Sequence, residues 1–203
     1  MYDVVVVGGG PIGSYTAYQL AELGFKVILI EEDDEVGKDI ICTGVIGTEA
    51  FQRFDLPQRS IISEIKSITF FSPSLVAIDY TPCSTLAYVV DRSLFDKDIL
   101  EQAKREGVDV HLGRKVYGIN TYEDFVEAEY RNKDYTGKIK AKAAVIATGI
   151  KYQLHRSLGL SVPASFIQGA QTEIEARDIS LSLIHISEPT RPLYISYAVF
   201  CLK

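Results

Sequence analysis

Residues 2–31 read YDVVVVGGGPIGSYTAYQLAELGFKVILIE, and their pattern decides the fold. Tyr2 to Gly8 is a continuous β-branched run, the signature of a strand covered on both faces, as central parallel strands are. Three glycines end it. From Pro11 to Leu23, Ala17, Leu20, Ala21 and Leu23 recur with helical spacing, and Gly24 supplies the stop. Lys26 to Ile30 is a second apolar strand. Strand, glycine turn, helix and strand within about 30 residues form a βαβ unit.

The rest of the chain extends that unit. Asp33 to Gly47 reads as loop and Thr48 to Phe54 as a short helix. Strands are expected at Ile65–Phe71, Leu75–Tyr80 and Leu86–Val90, with a turn at Ser72-Pro73-Ser74 between the first two. A helix is expected from Arg92 to Glu106, with Phe95, Ile99, Leu100 and Ala103 on one face and Gly107 at its exit. Val108–Leu112 reads as a further parallel strand. Val116–Thr121, Phe125–Arg131 and Lys138–Lys142 form a small antiparallel meander, and Ala143–Ala147 is another buried strand. The fold class is therefore α/β: a Rossmann-like domain with a parallel sheet, a small antiparallel meander and part of a β-rich substrate domain. Residues 1–60 and 85–150 are assigned to the dinucleotide domain, and 61–84 and 151–180 to the substrate domain.

Composition narrows the function. With 203 residues, 47% hydrophobic, 24% charged and a net charge of −6, the chain is an ordinary globular protein. That acidity argues against a protein that neutralises phosphate backbones, so no nucleic-acid partner is expected. Cys42, Cys83 and Cys201 are too few and too scattered for a disulfide framework or a zinc set, which points to a reducing compartment and no metal. No run reaches the ~20 apolar residues a spanning helix needs. A cytoplasmic location is expected.

The chemistry lies in Gly8-Gly9-Gly10-Pro11-Ile12-Gly13, a G-x-G-x-x-G pattern between strand and helix. Gly8 permits the tight turn, Gly10 lets a pyrophosphate approach the backbone, and Gly13 lets the helix pack close to the strand. The free N–H groups and positive dipole end of the helix favour the phosphate charge. Glu31 follows Gly13 at about the 20-residue spacing of a ribose-binding acid. Its carboxylate repels a 2′-phosphate, which suits FAD or NAD rather than NADP. The chain leaves the nucleotide fold after Glu31 for substrate-type strands, which favours FAD.

The opening stretch, the helix DRSLFDKDILEQAKREGV and the strand AAVIATG resemble flavoproteins of the glutathione-reductase-like FAD fold, and among them the geranylgeranyl reductase family. The resemblance spans Met1 to about Ile179. It implies that Gly8, Gly10, Pro11, Ile12, Gly13 and Ser14 belong to the pyrophosphate turn, and that Glu31, with Glu32 beside it, belongs to the adenosine ribose site. It further implies that Arg92 lies against FAD, although a solvated first-turn arginine is the alternative. The backbone of Val116 would meet adenine, and Thr148 and Gly149 would form the strand-end turn near the pyrophosphate. Cys42, in Cys42-Thr43-Gly44, falls where this family carries a Cys-x-Gly element beside the flavin. It is the one catalytic candidate, and a small buried residue is the favoured reading of it. His111 and His155 read as surface groups. The aromatic residues between Ile65 and Tyr88 suit either an apolar substrate cavity or strand packing.

The implied activity is reduction of isolated carbon–carbon double bonds in prenyl chains, with NAD(P)H or another reductant as electron donor. The implied partner is a small-molecule or prenyl-lipid substrate, compatible with peripheral membrane contact, and no protein partner is evident. An aromatic monooxygenase and a non-catalytic dinucleotide-binding domain are the alternatives. The stretch Leu181–Lys203, LSLIHISEPTRPLYISYAVFCLK, keeps no period and resembles the in-frame translation of a sequencing-library adapter. It is expected to be a non-native tail that supplies no capped helix or paired strand. Family members bind the ribityl chain at a later Gly-Asp turn; none follows Gly149, as expected of a fragment ending near Ser180.

Overall fold

The computed structural model describes residues 1–165 except 39, 73 and 75, together with the backbone of three strands within 168–201. The elements run β1 (Tyr2–Val7), α1 (Pro11–Glu22), β2 (Val27–Ile30), β3 (Val45–Gly47), α2 (Thr48–Arg53), β4 (Ile61–Ile65), β5 (Ile68–Phe71), β6 (Ala77–Tyr80) and β7 (Ala87–Val90). They continue with α3 (Arg92–Arg105), β8 (Asp109–His111), β9 (Lys115–Thr121), β10 (Val126–Arg131), β11 (Thr136–Ile146), α4 (Gln153–Ser157), β12 (Gln168–Ala170), β13 (Leu183–Ile186) and β14 (Ile195–Cys201). The chain divides into two compact units, 1–38 with 92–162 and 39–91 with 163–203. Residues 39–60 and 85–91 thus fall in the second unit and residues 151–162 in the first.

The first unit is built on a six-stranded sheet in the order β8-β2-β1-β11-β10-β9. β8, β2, β1 and β11 are parallel, while β10 runs antiparallel to both β11 and β9. The apolar runs of β1 and β2 are explained by cover on both faces. Val4, Val6, Val27 and Leu29 pack with Ala17 and Tyr18 of α1 and Leu100 and Ala103 of α3. Val5, Val7, Ile28 and Ile30 point the other way, onto Val116, Ile119, Ala128, Tyr130 and Leu154. Both helices end at a left-handed glycine: Gly24 (φ 87°) follows α1 and Gly107 (φ 89°) follows α3. Each allows a main-chain closure, Phe25 N–H to Leu20 O at 3.1 Å and Val108 N–H to Ala103 O at 3.1 Å.

Three expectations from the sequence differ from the structure. The meander strand at Lys138–Lys142 and the parallel strand at Ala143–Ala147 are one continuous strand, β11, whose Ala141 pairs with Val126 on one side and Tyr2 on the other. The meander is thus an extension of the parallel sheet. The loop at Asp33–Gly47 ends in strand β3, and the strand expected at Ile65–Phe71 is shortened to β5, Ile65 closing the separate strand β4.

In the second unit β3, β7 and β4 form one antiparallel sheet, and β5 and β6 a separate hairpin. Ile68 pairs with Tyr80 and Phe70 with Ile78, and all four are exposed on one hairpin face. Strand packing therefore does not account for Phe70 and Tyr80, while Tyr88 does pack, edge to face, on Phe51 at 5.2 Å. The expectation that the tail supplies no paired strand is also corrected. β14 pairs antiparallel with β13 and parallel with β12, as a β-branched and aromatic run satisfies its backbone by pairing. The remainder of the tail, 181–182, 187–194 and 202–203, lies outside the described residues. Among the described residues, no helix is long and apolar enough to cross a membrane, and no cluster of ligating side chains could hold a metal.

Candidate functional site

β1 hands the chain to β2 on one side of the sheet while β11 lies on its other side, so a crevice opens at the carboxyl ends of β1 and β11, the usual ligand position in such sheets. Gly8 begins the turn there with φ 110°. A Cβ on it would strike the Ala147 carbonyl, with the carbonyl carbon 2.8 Å away, so a side chain is excluded twice over. A Cβ on Gly13 would overlap the Gly8 carbonyl oxygen and lie 3.2 Å from Ala147 Cβ. At Gly10, by contrast, an added Cβ would meet nothing within 4 Å. The first and third glycines are thus fixed by the protein's own backbone. The second faces open space, as the approach of an external group requires.

Helix α1 starts directly behind this opening. Gly10 is its extended N-cap residue, Pro11 takes the first helical position, and no acidic side chain occupies the first turn. By helix geometry the first-turn N–H groups lack intrahelical acceptors, so the positive end is available to an anion. Ile12 is exposed there. Ser14 plays a different part: it is fully buried, and its hydroxyl donates to the Gly9 carbonyl at 2.9 Å, bracing the turn from inside.

Glu31 stands at the end of β2. Its Oε2 accepts from the Gly9 N–H, and its Oε1 accepts from the Asp33 N–H at 2.9 Å. Two backbone donors therefore fix the carboxylate beside the glycine turn, and its remaining lone pairs can still accept hydrogen bonds. Gly9 has its own reason to lack a side chain, since a Cβ would sit 2.9 Å from Glu31 Cβ. The second glycine of the three-glycine run was the signal for this contact, and the x of the motif left it unread. Glu31→Ala is expected to weaken FAD retention by about 1–3 kcal/mol through loss of charge-assisted hydrogen bonds. Equilibrium dialysis checks this, and equal affinity in the two proteins would remove Glu31 from the site.

Val116 is brought to the same end of the sheet. The loop before it is bonded along the β2 exit, Glu31 N–H to His111 O at 2.9 Å, Arg114 N–H to Glu31 O at 2.8 Å and Gly113 N–H to Asp33 O at 3.0 Å. Val116 itself is buried on β9. At the end of β11, Ala147 N–H donates to Val7 O at 2.8 Å, and the Thr148 hydroxyl donates to Lys151 O at 2.9 Å. Gly149 between them has φ 58° and open space around it.

Glu32 meets Lys115 Nζ at 2.7 Å through one carboxylate oxygen and Lys151 Nζ through the other. The sequence reading missed both lysines. Hydrogen bonds from Lys115 and then Lys151 hold the Glu32 carboxyl below its ordinary value of 4.5, against the opposing effect of burial. A carboxyl lowered in the folded state adds stability that is complete above pH 4.5 and is lost as pH falls through its lowered value. The stability advantage of the protein over a Glu32→Gln variant is therefore expected to hold at neutral pH and vanish in acid, as read by thermal denaturation across pH 3–7.

Arg92, at the start of α3, is not a solvated side chain. Its Nε and Nη2 fork onto Asp96 at 3.0 and 3.1 Å, with side-chain exposures of 20% and 6%. Burial pushes the Asp96 carboxyl up, and Arg92 pulls against it. The histidine readings change as well. His111 is bonded to Asp109 at 3.0 Å and Arg114 at 2.5 Å, and His155 Nδ1 is enclosed without a hydrogen-bond partner among the described residues. Cys42, in the second unit, is exposed rather than buried, and its sulfur accepts from the Gly44 N–H at 3.5 Å.

A parallel sheet with this glycine turn, open second glycine and fixed acid defines a dinucleotide-binding domain of the FAD-dependent oxidoreductase class. Comparison with known proteins agrees: residues 2–165 match the model of the pyridine nucleotide-disulphide oxidoreductase family, and the chain belongs to that family. Digeranylgeranylglycerophospholipid reductase 1 of Methanococcoides burtonii is 29% identical over 89% of this chain and 46% of its own length. A digeranylgeranylglycerophospholipid reductase of Methanocaldococcus jannaschii is 33% identical over 79% of this chain and 41% of its own. The crystal structure of a geranylgeranyl bacteriochlorophyll reductase-like protein from Thermoplasma acidophilum superposes with a TM-score of 0.70 at 29% identity, over 78% of this chain and 42% of that one. The chain spans about half the length of the curated relatives it matches.

Proposed function

We propose that the protein is a flavoprotein reductase that saturates isolated carbon–carbon double bonds of prenyl chains. The observation that carries the reading is the Glu31 carboxylate fixed by two backbone amides beside a glycine turn whose second glycine alone opens outward. Relatives named as prenyl-lipid reductases supply the substrate class. The adenosine ribose would be held by Glu31, the pyrophosphate by the Gly8–Gly13 turn and the N-terminus of α1, with Ile12 at its exposed first turn. Adenine would lie against the backbone at Val116, and the turn at Thr148 and Gly149 would close the phosphate side. Arg92 would stand at the start of the helix beside the cofactor. The residues present fit FAD, because the open face of Gly10 and the acid-free helix start offer an anion both room and charge complementarity.

When bound, FAD supplies the two-electron chemistry by which one alkene carbon takes a hydride and the other a proton. The chain's own part is to bind and orient. Electrons would come from NAD(P)H or another two-electron donor, and the substrate would be a prenyl lipid met in the cytoplasm or at a membrane surface. Residues 61–84 and 151–180 would contribute to the substrate domain, Cys42 would stand on the flavin side, and Leu181–Lys203 would be a non-native tail.

The test is an anaerobic stopped-flow experiment on the chemically reduced flavoprotein. Reoxidation by a geranylgeranyl-bearing compound, with a saturated product identified by mass, is expected. Reoxidation only by oxygen together with a phenol would instead make the protein a hydroxylase, and a flavin that no donor reduces would make it a non-catalytic domain.

A further inference from the structure

The acidic run Glu31-Glu32-Asp33-Asp34-Glu35 leaves β2 where an anionic cofactor would lie, and its side chains reach different parts of the first unit. Glu31 is taken by backbone amides, Asp34 meets Lys133 at 3.5 Å and Glu35 meets Lys97 on α3 at 2.6 Å. The last two pairs are exposed and worth little. Glu32 differs. Its side chain is 22% exposed, and each carboxylate oxygen engages its own lysine, Lys115 on Oε2 and Lys151 on Oε1. Lys115 opens β9 directly before Val116, and Lys151 closes the turn that contains Thr148 and Gly149.

We propose that Glu32 is a positioning residue that clamps β9 and the Thr148–Lys151 turn to the end of β2 through Lys115 and Lys151, and so shapes the adenosine side of the cofactor site without touching the cofactor. This rests on the FAD reading above. The end of β2 and the loop that leads into β9 already share main-chain hydrogen bonds. Within the Thr148–Lys151 turn, the Thr148 hydroxyl donates to Lys151 O at 2.9 Å and the Lys151 N–H to Thr148 O at 3.2 Å, both bonds internal to the turn. The Glu32–Lys151 pair ties that turn to β2 at a residue pair 119 positions apart. With both carboxylate oxygens committed to lysines, Glu32 is a poorer partner for a ribose hydroxyl than Glu31, whose partners are neutral amides. The two ammonium groups also offset the acidic run that would otherwise repel a pyrophosphate. A three-group network shares the ordering cost of its central side chain, Glu32, between two ion pairs.

The test is a mutant cycle on FAD affinity, measured by flavin fluorescence, together with amide hydrogen exchange on the FAD-free protein. Glu32→Gln is expected to weaken FAD binding about ten-fold in the otherwise native protein, and less than about two-fold in a Lys115→Met/Lys151→Met background. In the FAD-free protein, Glu32→Gln should speed amide exchange in residues 149–152, while amides of α1 remain unchanged. Equal losses of affinity in both backgrounds would make Glu32 a direct ligand and overturn the clamp. So would unchanged exchange in residues 149–152. Because exchange is read without cofactor, a failed clamp is separable from a failed FAD reading, which would show as a native protein that binds no FAD.

Discussion

Gly10→Ala and Gly13→Ala are expected to weaken FAD retention by opposite routes. At Gly13 the new Cβ would overlap the Gly8 carbonyl oxygen and press on its carbonyl carbon at 3.0 Å and on Ala147 Cβ at 3.2 Å. The Gly8 carbonyl is backbone and the Ala147 methyl has no rotatable bond to move it aside, so neither yields as a flexible side chain would, and the expected cost is ~3 kcal/mol of stability, at the upper end for overpacking. At Gly10 the new Cβ meets nothing within 4 Å, and the backbone there has φ −64°, which alanine adopts freely. Its stability cost should stay below about 1 kcal/mol, the loss of a tolerated N-cap glycine. Yet the methyl group occupies the side from which a pyrophosphate approaches, so FAD affinity should fall at least about ten-fold, equivalent to ~1.4 kcal/mol. Thermal denaturation and flavin titration separate the two. A Gly10→Ala protein that keeps its FAD would mean that the opening is not the pyrophosphate site.

Arg92→Ala should destabilise the protein by ~3 kcal/mol at neutral pH, because it strands the buried Asp96 carboxylate. The sign with pH follows from burial. Asp96 is already raised above its ordinary 3.8 with Arg92 in place, and without the guanidinium it rises further. A carboxyl raised in the folded state costs stability above its unfolded value and returns it on protonation. The deficit of Arg92→Ala should therefore shrink as pH falls towards 4, and Arg92→Ala/Asp96→Ala should recover part of it at pH 7. A deficit under about 0.5 kcal/mol across the range would return Arg92 to the solvated surface group that its position at a helix start suggests. Chemical denaturation from pH 4 to 8 makes the measurement.

The sequence revealed most where one physical demand acted on consecutive residues. Val4 to Val7 and Val27 to Ile30 are covered by helices on one face and by the meander and α4 on the other, so every position is apolar and the parallel core is legible. β11 was misread because its surroundings change along its length. Lys138 and Lys140 alternate outward where β10 is the neighbour of 136–141, and the apolar run from Ala143 follows where β1 pairs with 141–146. The change in pattern looks like a strand end, but the backbone continues through Ala141. β3 has three residues and β4 lies close to β5 in sequence, too short or too crowded for a period to show.

The site followed the same logic. Gly8, Gly10, Gly13 and Glu31 were legible because their roles depend on local spacing within one βαβ unit. Lys115 and Lys151 were not, because they meet Glu32 across 83 and 119 residues of chain. Arg92 and Asp96 stand four residues apart, a visible helical pair, but only their burial makes the pair consequential. Cys42 misled in the opposite sense, because cysteine's usual preference for the interior does not hold at this exposed loop position.

The central claim is that the Gly8–Gly13 turn and Glu31 hold the adenosine diphosphate half of FAD. Its most direct test is competition at the flavin site of the purified protein, with the bound flavin first released and identified by chromatography. FAD rather than FMN is expected, displaced by ADP but not by FMN or by adenosine 2′,5′-bisphosphate, whose 2′-phosphate Glu31 would repel. Bound FMN, or displacement by the bisphosphate as readily as by ADP, would contradict it.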